Sequence, residues 1–440
     1  MRDTWPLGVM RGRGGRAEAN VRVSPSTYQE VSDLLSRADG SRRIVPIGGR
    51  SAVTGAVELA PGDLALDLTR LDQVLEIDEH NLTARVQAGV NGWKLEQELN
   101  ARGLTLGHYP SSLPVATIGG LVSTRSSGQE STLYGNIEDL VMGLTVCLAD
   151  GTVAEARPGP RSAIGPALHE LFIGAEGGLG VVLEAVLRIS RLPAETLGRG
   201  WDFATLEAGL EAMREIVQRG LRPLVMRLYD REDTAFQQSA ADGCLLVAGV
   251  AGEPALAAAG AGVVESVCGA GGAKDLGEEP FLRWRERRFH LSRERLLDSL
   301  RAPGSFVDTI EVAAAWDRLP PLHAQVKPVL AAEGIGLCHF SHAYPQGCCA
   351  YFTFAGSAAT EEEAEAAYQR CWAGAMQACL ELGATIGHHH GVGQVRAPWV
   401  RDEMGEWWQV WERVRSSLDP KDVMNPNAVG GTQPRPAKSS

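Results

Sequence analysis

The sequence offers little to a nucleic-acid or membrane partner, and little to a disulfide or zinc scaffold. Its 440 residues carry 42 Lys and Arg against 54 Asp and Glu, a net charge of -12. The basic residues are scattered except between Arg283 and Arg301, so no cationic surface for nucleic acid is expected. No basic-then-apolar leader is visible at the N-terminus, and the longest apolar tract, Cys244 to Cys268, is broken by Glu253, Pro254 and several glycines. That tract fails as a membrane span, and a cytoplasmic protein is the expectation. There is no Cys-x-x-Cys. The eight cysteines include the vicinal pair Cys348-Cys349 and have strand-like apolar neighbours, as reduced core thiols do. What the chain does hold is 51 glycines and 44% apolar residues, enough for roughly two to four domain-sized units.

The glycines cluster. Between Tyr109 and Val141 lie Pro110-Ser111-Ser112, Thr117-Ile118-Gly119-Gly120 and Ser123 to Gly128, with no long periodic run. Turns so poor in side chains leave backbone N–H groups free to form concave anion sites, although a plain surface loop reads the same way. Two further clusters abut strands: Gly48-Gly49-Arg50-Ser51 after the strand Arg43–Pro46, and Glu176-Gly177-Gly178-Leu179-Gly180 before an alternating strand. A strand, not a helix, follows the latter, so this is not the Gly-x-Gly-x-x-Gly of a dinucleotide-binding βαβ unit.

Residues 1–20 carry basic charges without periodicity and read as a mobile arm. Residues 21–194 mix short strands with helices such as WKLEQELNARG, and VMGLTVCLADGTVAEA reads as a hairpin turning at Asp150-Gly151,. Pro193 marks a boundary. Residues 195–401 alternate helices with strands, including LEAGLEAMREIVQRG, CLLVAGVAG, VDTIEVAAAW, GIGLCHFSHAYP and CCAYFTFAG, as in a second α+β domain. Residues 402–440 form a C-terminal segment expected to return to the first domain.

These segments carry a resemblance. PIGGRSA (46–52), SSLPVAT with TRSS (111–117, 124–127) and EGGLGVV (176–182) resemble the flavin site of the vanillyl-alcohol oxidase, or PCMH-type, FAD-binding proteins. TIGGLVSTRSSG, LYGNIEDLV, AAAWDRL and GHHHGVGQVR are most similar, within that superfamily, to the alkylglycerone-phosphate synthases. The likeness implies an α+β, two-domain PCMH-type FAD-binding fold whose second, antiparallel-sheet domain caps the substrate. It places FAD between the domains. The first turn supplies Pro46, Ile47, Gly48, Gly49, Arg50, Ser51 and Ala52. The second supplies Ser111, Ser112, Thr117, Gly119, Gly120, Thr124 and Ser127, and the third Glu176, Gly177, Gly180, Val181 and Val182. Some relatives attach the flavin through a histidine or cysteine near the first turn. Arg50-Ser51 offers neither, so noncovalent FAD is expected. Arg50 stands where glycine is usual, and its guanidinium either pairs with the pyrophosphate or points to solvent.

The resemblance also assigns chemistry. Tyr344, in HAYPQGCCAYFTF, matches the catalytic tyrosine; a phenol with a pKa near 10 can give up a proton when positive charge and a flavin lie beside it. Consecutive His388, His389 and His390 cannot all face one way, so one or two reach the substrate. Adjacent histidines chelate poorly, and proton handling is expected in preference to a metal. Arg227 and Arg293 match functional arginines, with Arg293 on the substrate and Arg295 two residues away; guanidinium forks suit phosphate or carboxylate. The FAD-linked 2-hydroxyacid dehydrogenases differ, having HxGDGN and GEHG(I/V)G where this chain has HAYPQG and HHHGVG. The implied reaction is synthase-like, flavin N5 acting on a small phosphate- or carboxylate-bearing molecule with Tyr/His acid–base catalysis. The alternative is an FAD-linked oxidase or dehydrogenase of an alcohol or 2-hydroxy acid. A homodimer is common among such relatives.

Overall fold

The computed structural model describes residues 4–12, 21–289, 298–300 and 302–431. The N-terminal half builds two main sheets, beside a short antiparallel pairing of Leu104–Thr105 with Ser190–Arg191. In the smaller, Val21–Val23, Leu64–Asp67 and Ile44–Ile47 run parallel. The larger is antiparallel, in the order Val74–Asp78, Thr83–Gln87, Val181–Arg188, Val141–Cys147, Val153–Glu155. Its central strand, Val181–Arg188, is buried almost throughout, so it lacks the polar alternation of a half-exposed strand. The one acid in it, Glu184, is 3% exposed and is satisfied by Arg85 and by the Tyr28 hydroxyl at 2.8 Å. The hairpin turns at Gly151, whose φ of +87° requires glycine,.

The second half is one seven-stranded antiparallel sheet, ordered Lys274–Asp275, Glu195–Phe203, Cys244–Gly252, Val225–Tyr229, Ile335–Tyr344, Gly347–Ser357, Ser305–Ala315. Alternation sorts its faces. Met226, Leu228, Phe306, Ile310, Val312, Cys338, Phe340, Phe352 and Phe354 enter a core shared with residues of the helices Leu206–Gln218, Leu319–Ala332 and Glu361–Leu382. Arg227, His339, Glu311 and Tyr351 fall on the other parity. Strict alternation would send Tyr344 into the core with Phe340. A register shift between Ser341 and Tyr344, with His342 at a φ of +50°, adds one residue. The bulge puts Ala343 in the core and turns Tyr344 to the opposite face, a use bulges often have beside active sites.

Two ends of the chain are informative. The first residues were expected to be a mobile arm, but Pro6–Gly12 is a helix, and Trp5, Leu7 and Met10 pack into the core of the second sheet. Those three apolar side chains supply the burial that the charge-based reading overlooked. Near the other end, Val423 and Met424 are fully buried with Val31, Leu35 and Ile44, and the Ile44 N–H donates to the Val423 carbonyl at 2.7 Å. All eight cysteines are free and buried. Among the described residues no helix is long and apolar enough to cross a membrane.

Candidate functional site

The three glycine turns lie against one another. A Cβ on Gly48 would stand 2.2 Å from Thr117 Oγ1, one on Gly49 1.9 Å from the Val115 carbonyl oxygen, and one on Gly177 3.0 Å from Pro46 Cγ. Only glycine permits the first two approaches. The N–H groups of Gly48, Gly49, Arg50 and Ser51 donate to no carbonyl among the described residues, so consecutive donors are left for an anion. This donor set and the absence of side chains fit the pyrophosphate of FAD.

Several residues expected on the cofactor have other duties. The Ser127 hydroxyl donates to Asn136 Oδ1 at 2.7 Å, and Thr124 Oγ1 to the Gly120 carbonyl at 3.0 Å. Ser111 Oγ accepts from Gln129 Nε2 at 3.1 Å, whereas Ser112 contributes its carbonyl to the turn, accepting from Ala116 N. A Cβ on Gly119 would meet that of Ala88 at 2.7 Å, so Gly119 permits packing onto the sheet, and Val181 and Val182 are core residues. The side chain of Glu176 points away from the cradle, accepting from the N–H groups of Val392, Gly393 and Val429 at 2.9, 3.0 and 2.7 Å.

Opposite the turns, the bulged strand brings Tyr344 to the histidines. Its hydroxyl oxygen lies 3.0 Å from Asn136 Nδ2 and 2.9 Å from His388 Nε2. His388 Nδ1 is 2.8 Å from His389 Nδ1, and the His342 ring packs on both at 5.1 Å. Positive charge was expected to make Tyr344 acidic, but its neighbours are neutral: burial raises the phenol well above its usual value. Burial also pushes His388 down to about 4, and holds His389 and His342 well below the usual imidazole range. The resting site is therefore a chain of uncharged donors and acceptors. His390 is turned away, its Nδ1 3.0 Å from Glu311 Oε2.

The histidine loop is shaped by a carboxylate that reading the motifs missed. Glu311 Oε1 accepts from the N–H groups of His388, His389 and His390 at 3.3, 3.1 and 2.9 Å, and Oε2 meets Arg396. Arg396 is itself fully buried, donates to the Ile386 and Gly391 carbonyls at 2.6 and 2.9 Å, and lies over the Trp372 ring. Burial alone would raise Glu311, but Arg396 and His390 outweigh it and hold the carboxyl well below its usual range,. The signal was present: acids such as Glu311 in the largely apolar strand VDTIEVAAAW need buried partners,.

Arg227 reaches the same face. Its Nη2 is 3.4 Å from His339 Nδ1, and its Nε, like Ser341 Oγ and His342 Nδ1, has no hydrogen-bond partner among the described residues. Arg293 and Arg295 lie outside the described residues. Cys349, His388 and His389 present ligand atoms within 4.8 Å of one another, a closeness the motif reading did not foresee. However, His388 spends both nitrogens on Tyr344 and His389, and burial raises the Cys349 thiol well above its usual value.

Comparison with known proteins matches the model for the FAD binding domain over residues 19–157 and that for FAD linked oxidases, C-terminal domain, over residues 193–429. The chain is 34% identical over 430 residues to the uncharacterized FAD-linked oxidoreductase YgcU of Escherichia coli (strain K12), covering 92% of this chain and 88% of that one. It is 30% identical over 448 residues to the alkyldihydroxyacetonephosphate synthase of Dictyostelium discoideum, covering 92% and 72%. A solved alkyldihydroxyacetonephosphate synthase superposes with a TM-score of 0.79 at 24% identity, covering 97% of this chain and 81% of that one.

Proposed function

Because the chain belongs to the FAD-linked oxidase family, and is thereby an FAD-dependent enzyme, we propose that it carries out a reaction of the alkylglycerone-phosphate synthase type on a small phosphate- or carboxylate-bearing molecule. The observation that carries this reading is the Tyr344 hydroxyl, held between Asn136 of the FAD-binding half and His388 of the cap. FAD, when bound noncovalently on the turns at Gly48, Thr117 and Gly177, supplies an electrophilic, redox-active ring. The chain does the rest. Arg227, with a free Nε, binds the substrate anion,. Tyr344 exchanges a proton with the substrate, and His388 and His389 take up the phenol proton,. Glu311 and Arg396 hold the loop on which the two imidazoles stand. The kinship to an alkyldihydroxyacetonephosphate synthase supports the reading.

His342 favours a second reading. This neutral imidazole, unpartnered at Nδ1, could take the proton of an alcohol or 2-hydroxy acid in an oxidase or dehydrogenase, to which the kinship with an FAD-linked oxidoreductase also points. Mixing the protein with candidate substrates without oxygen separates the two. Turnover of an acyl-glycerone phosphate with a fatty alcohol, with no lasting loss of flavin absorbance, is the expected result; stable bleaching by a hydroxy acid, reversed by oxygen, refutes the synthase reading. Tyr344→Phe should keep its yellow flavin, releasable by acid, and lose at least about 10²-fold in kcat.

A further inference from the structure

Tyr344, His388 and His389 are all neutral in the resting site, so which atom carries each proton decides what they can do. A phenol can accept a substrate proton only if its own has somewhere to go. A neutral imidazole has one N–H and one bare nitrogen, so fixing one end of a hydrogen-bonded chain fixes every proton along it.

That end lies in the FAD-binding half. Asn136 is 9% exposed and Ser127 4%, and the backbone of Asn136 is tied down by its N–H on Asp139 Oδ2 at 2.8 Å. With Asn136 Oδ1 facing both the Ser127 hydroxyl and the backbone N–H of Asp139 in its capping box, an N–H that can only donate, the amide nitrogen faces Tyr344, where it can only donate. With one N–H received, the polar neighbour left for the Tyr344 proton among the described residues is Nε2 of His388. His388 then carries its proton on Nδ1 and donates to Nδ1 of His389, which leaves the His389 proton on Nε2.

We propose that Asn136, oriented by Ser127, is a positioning residue that sets the direction of proton transfer, out of Tyr344 and through His388 to His389. The proposal rests on the reading of Tyr344 as the group that takes the substrate proton. The step balances without any change in electron count. The substrate proton bonds to the phenol oxygen, the phenol proton moves to His388 Nε2, and the His388 Nδ1 proton moves to His389 Nδ1. One proton has then passed from substrate to His389. The new cation forms on the loop that the Glu311 carboxylate holds, Oε1 accepting from the backbone N–H of His389 at 3.1 Å. The developing phenolate keeps the Asn136 N–H. Were the amide turned over, every proton would sit at the opposite end of its bond and Tyr344 would be able only to donate to the amide.

The test reads the protons directly. In the FAD-loaded enzyme with 15N-labelled histidine, two-bond proton–nitrogen correlations report the tautomer of each ring, with His388→Asn and His389→Asn assigning the signals. The expected result is His388 protonated at Nδ1 and His389 at Nε2. In Asn136→Asp the carboxylate can only accept, so both tautomers should invert, with kcat falling at least about 10²-fold and KM nearly unchanged. Should that variant fail to fold, Ser127→Ala, which releases the amide without adding charge, should give a mixture of tautomers. His388 protonated at Nε2 in the unaltered enzyme overturns the proposal, as do tautomers indifferent to both substitutions. The tautomer readouts do not depend on the identity of the substrate, so a failure of the synthase reading removes the kinetic comparison and leaves them intact.

Discussion

Replacing Glu311 by glutamine separates the two jobs of its carboxylate. The carbonyl oxygen of the amide can still accept from the N–H groups of His388, His389 and His390, but its NH2 then faces the Arg396 guanidinium, donor against donor. Glu311 and Arg396 are both 0% exposed, so the substitution strands a buried cation. Removing one partner of such a pair typically costs about 3–5 kcal/mol. The three N–H bonds that survive argue against a larger loss. Hydrogen exchange at the amides of 388–390 is the assay, because opening of the loop precedes exchange. At about 1.4 kcal/mol per tenfold, exchange should quicken by roughly 10²- to 4 × 10³-fold. Arg396→Met should do much the same, and the double variant, with no stranded charge, should recover most of the protection. The sign with pH is fixed as well. The folded carboxyl is held well below its usual range, so its contribution is fully present above about pH 4.3, the unfolded value, and is lost as the pH falls further. Exchange within threefold of the parent in both single variants, or simple additivity in the double, would refute the reasoning.

Two further predictions concern charge and space. With burial pushing His388 down to about 4 and holding His389 well below the usual imidazole range, kcat/KM should show no histidine inflection between about pH 5.5 and 8; an inflection near 6.5 that vanishes in His388→Asn contradicts this. Gly49→Ala would place a methyl carbon 1.9 Å from the Val115 carbonyl oxygen, so the purified variant should hold little FAD by absorbance while its second domain remains folded by exchange, and a full flavin load would remove Gly49 from the cradle.

Where backbone chemistry decided the outcome, the sequence was legible. Glycine turns beside strands marked the close backbone approaches at Gly48 and Gly177, and Asp150-Gly151 located the hairpin. Arg227 was legible only through the resemblance, and the face it takes follows from alternation. Alternation could not place Tyr344, because the bulge at His342 leaves no mark on the pattern of apolar residues. Nor could it foresee that Ser127 and Glu176 would spend their side chains on Asn136 and on the loop at Val392, since those partners are brought close only by the fold. Asn136 and Arg396 lay within segments already singled out, LYGNIEDLV and GHHHGVGQVR, without any local cue to their roles. The N-terminal helix was missed because its charges were weighed and its Trp5, Leu7 and Met10 were not.

The grip of Glu176 on the histidine loop bears on how molecules enter and leave. Hinging the two halves apart would break its bonds to the Val392 and Gly393 N–H groups and the bond from Asn136 to Tyr344. At roughly 1.5–3 kcal/mol for each bond to a charged group and about 1 for the neutral one, these three bonds alone put about 4–7 kcal/mol on opening, and the Gln394 and Val395 N–H groups on the Thr54 carbonyl and Arg288 on Glu130 add to it. The open form is thereby held to on the order of one molecule in a thousand or fewer. Substrate and product traffic is then a matter of side chains and surface segments yielding around a rigid joint, and a variant that loosens the joint should leak solvent to the flavin before it speeds release.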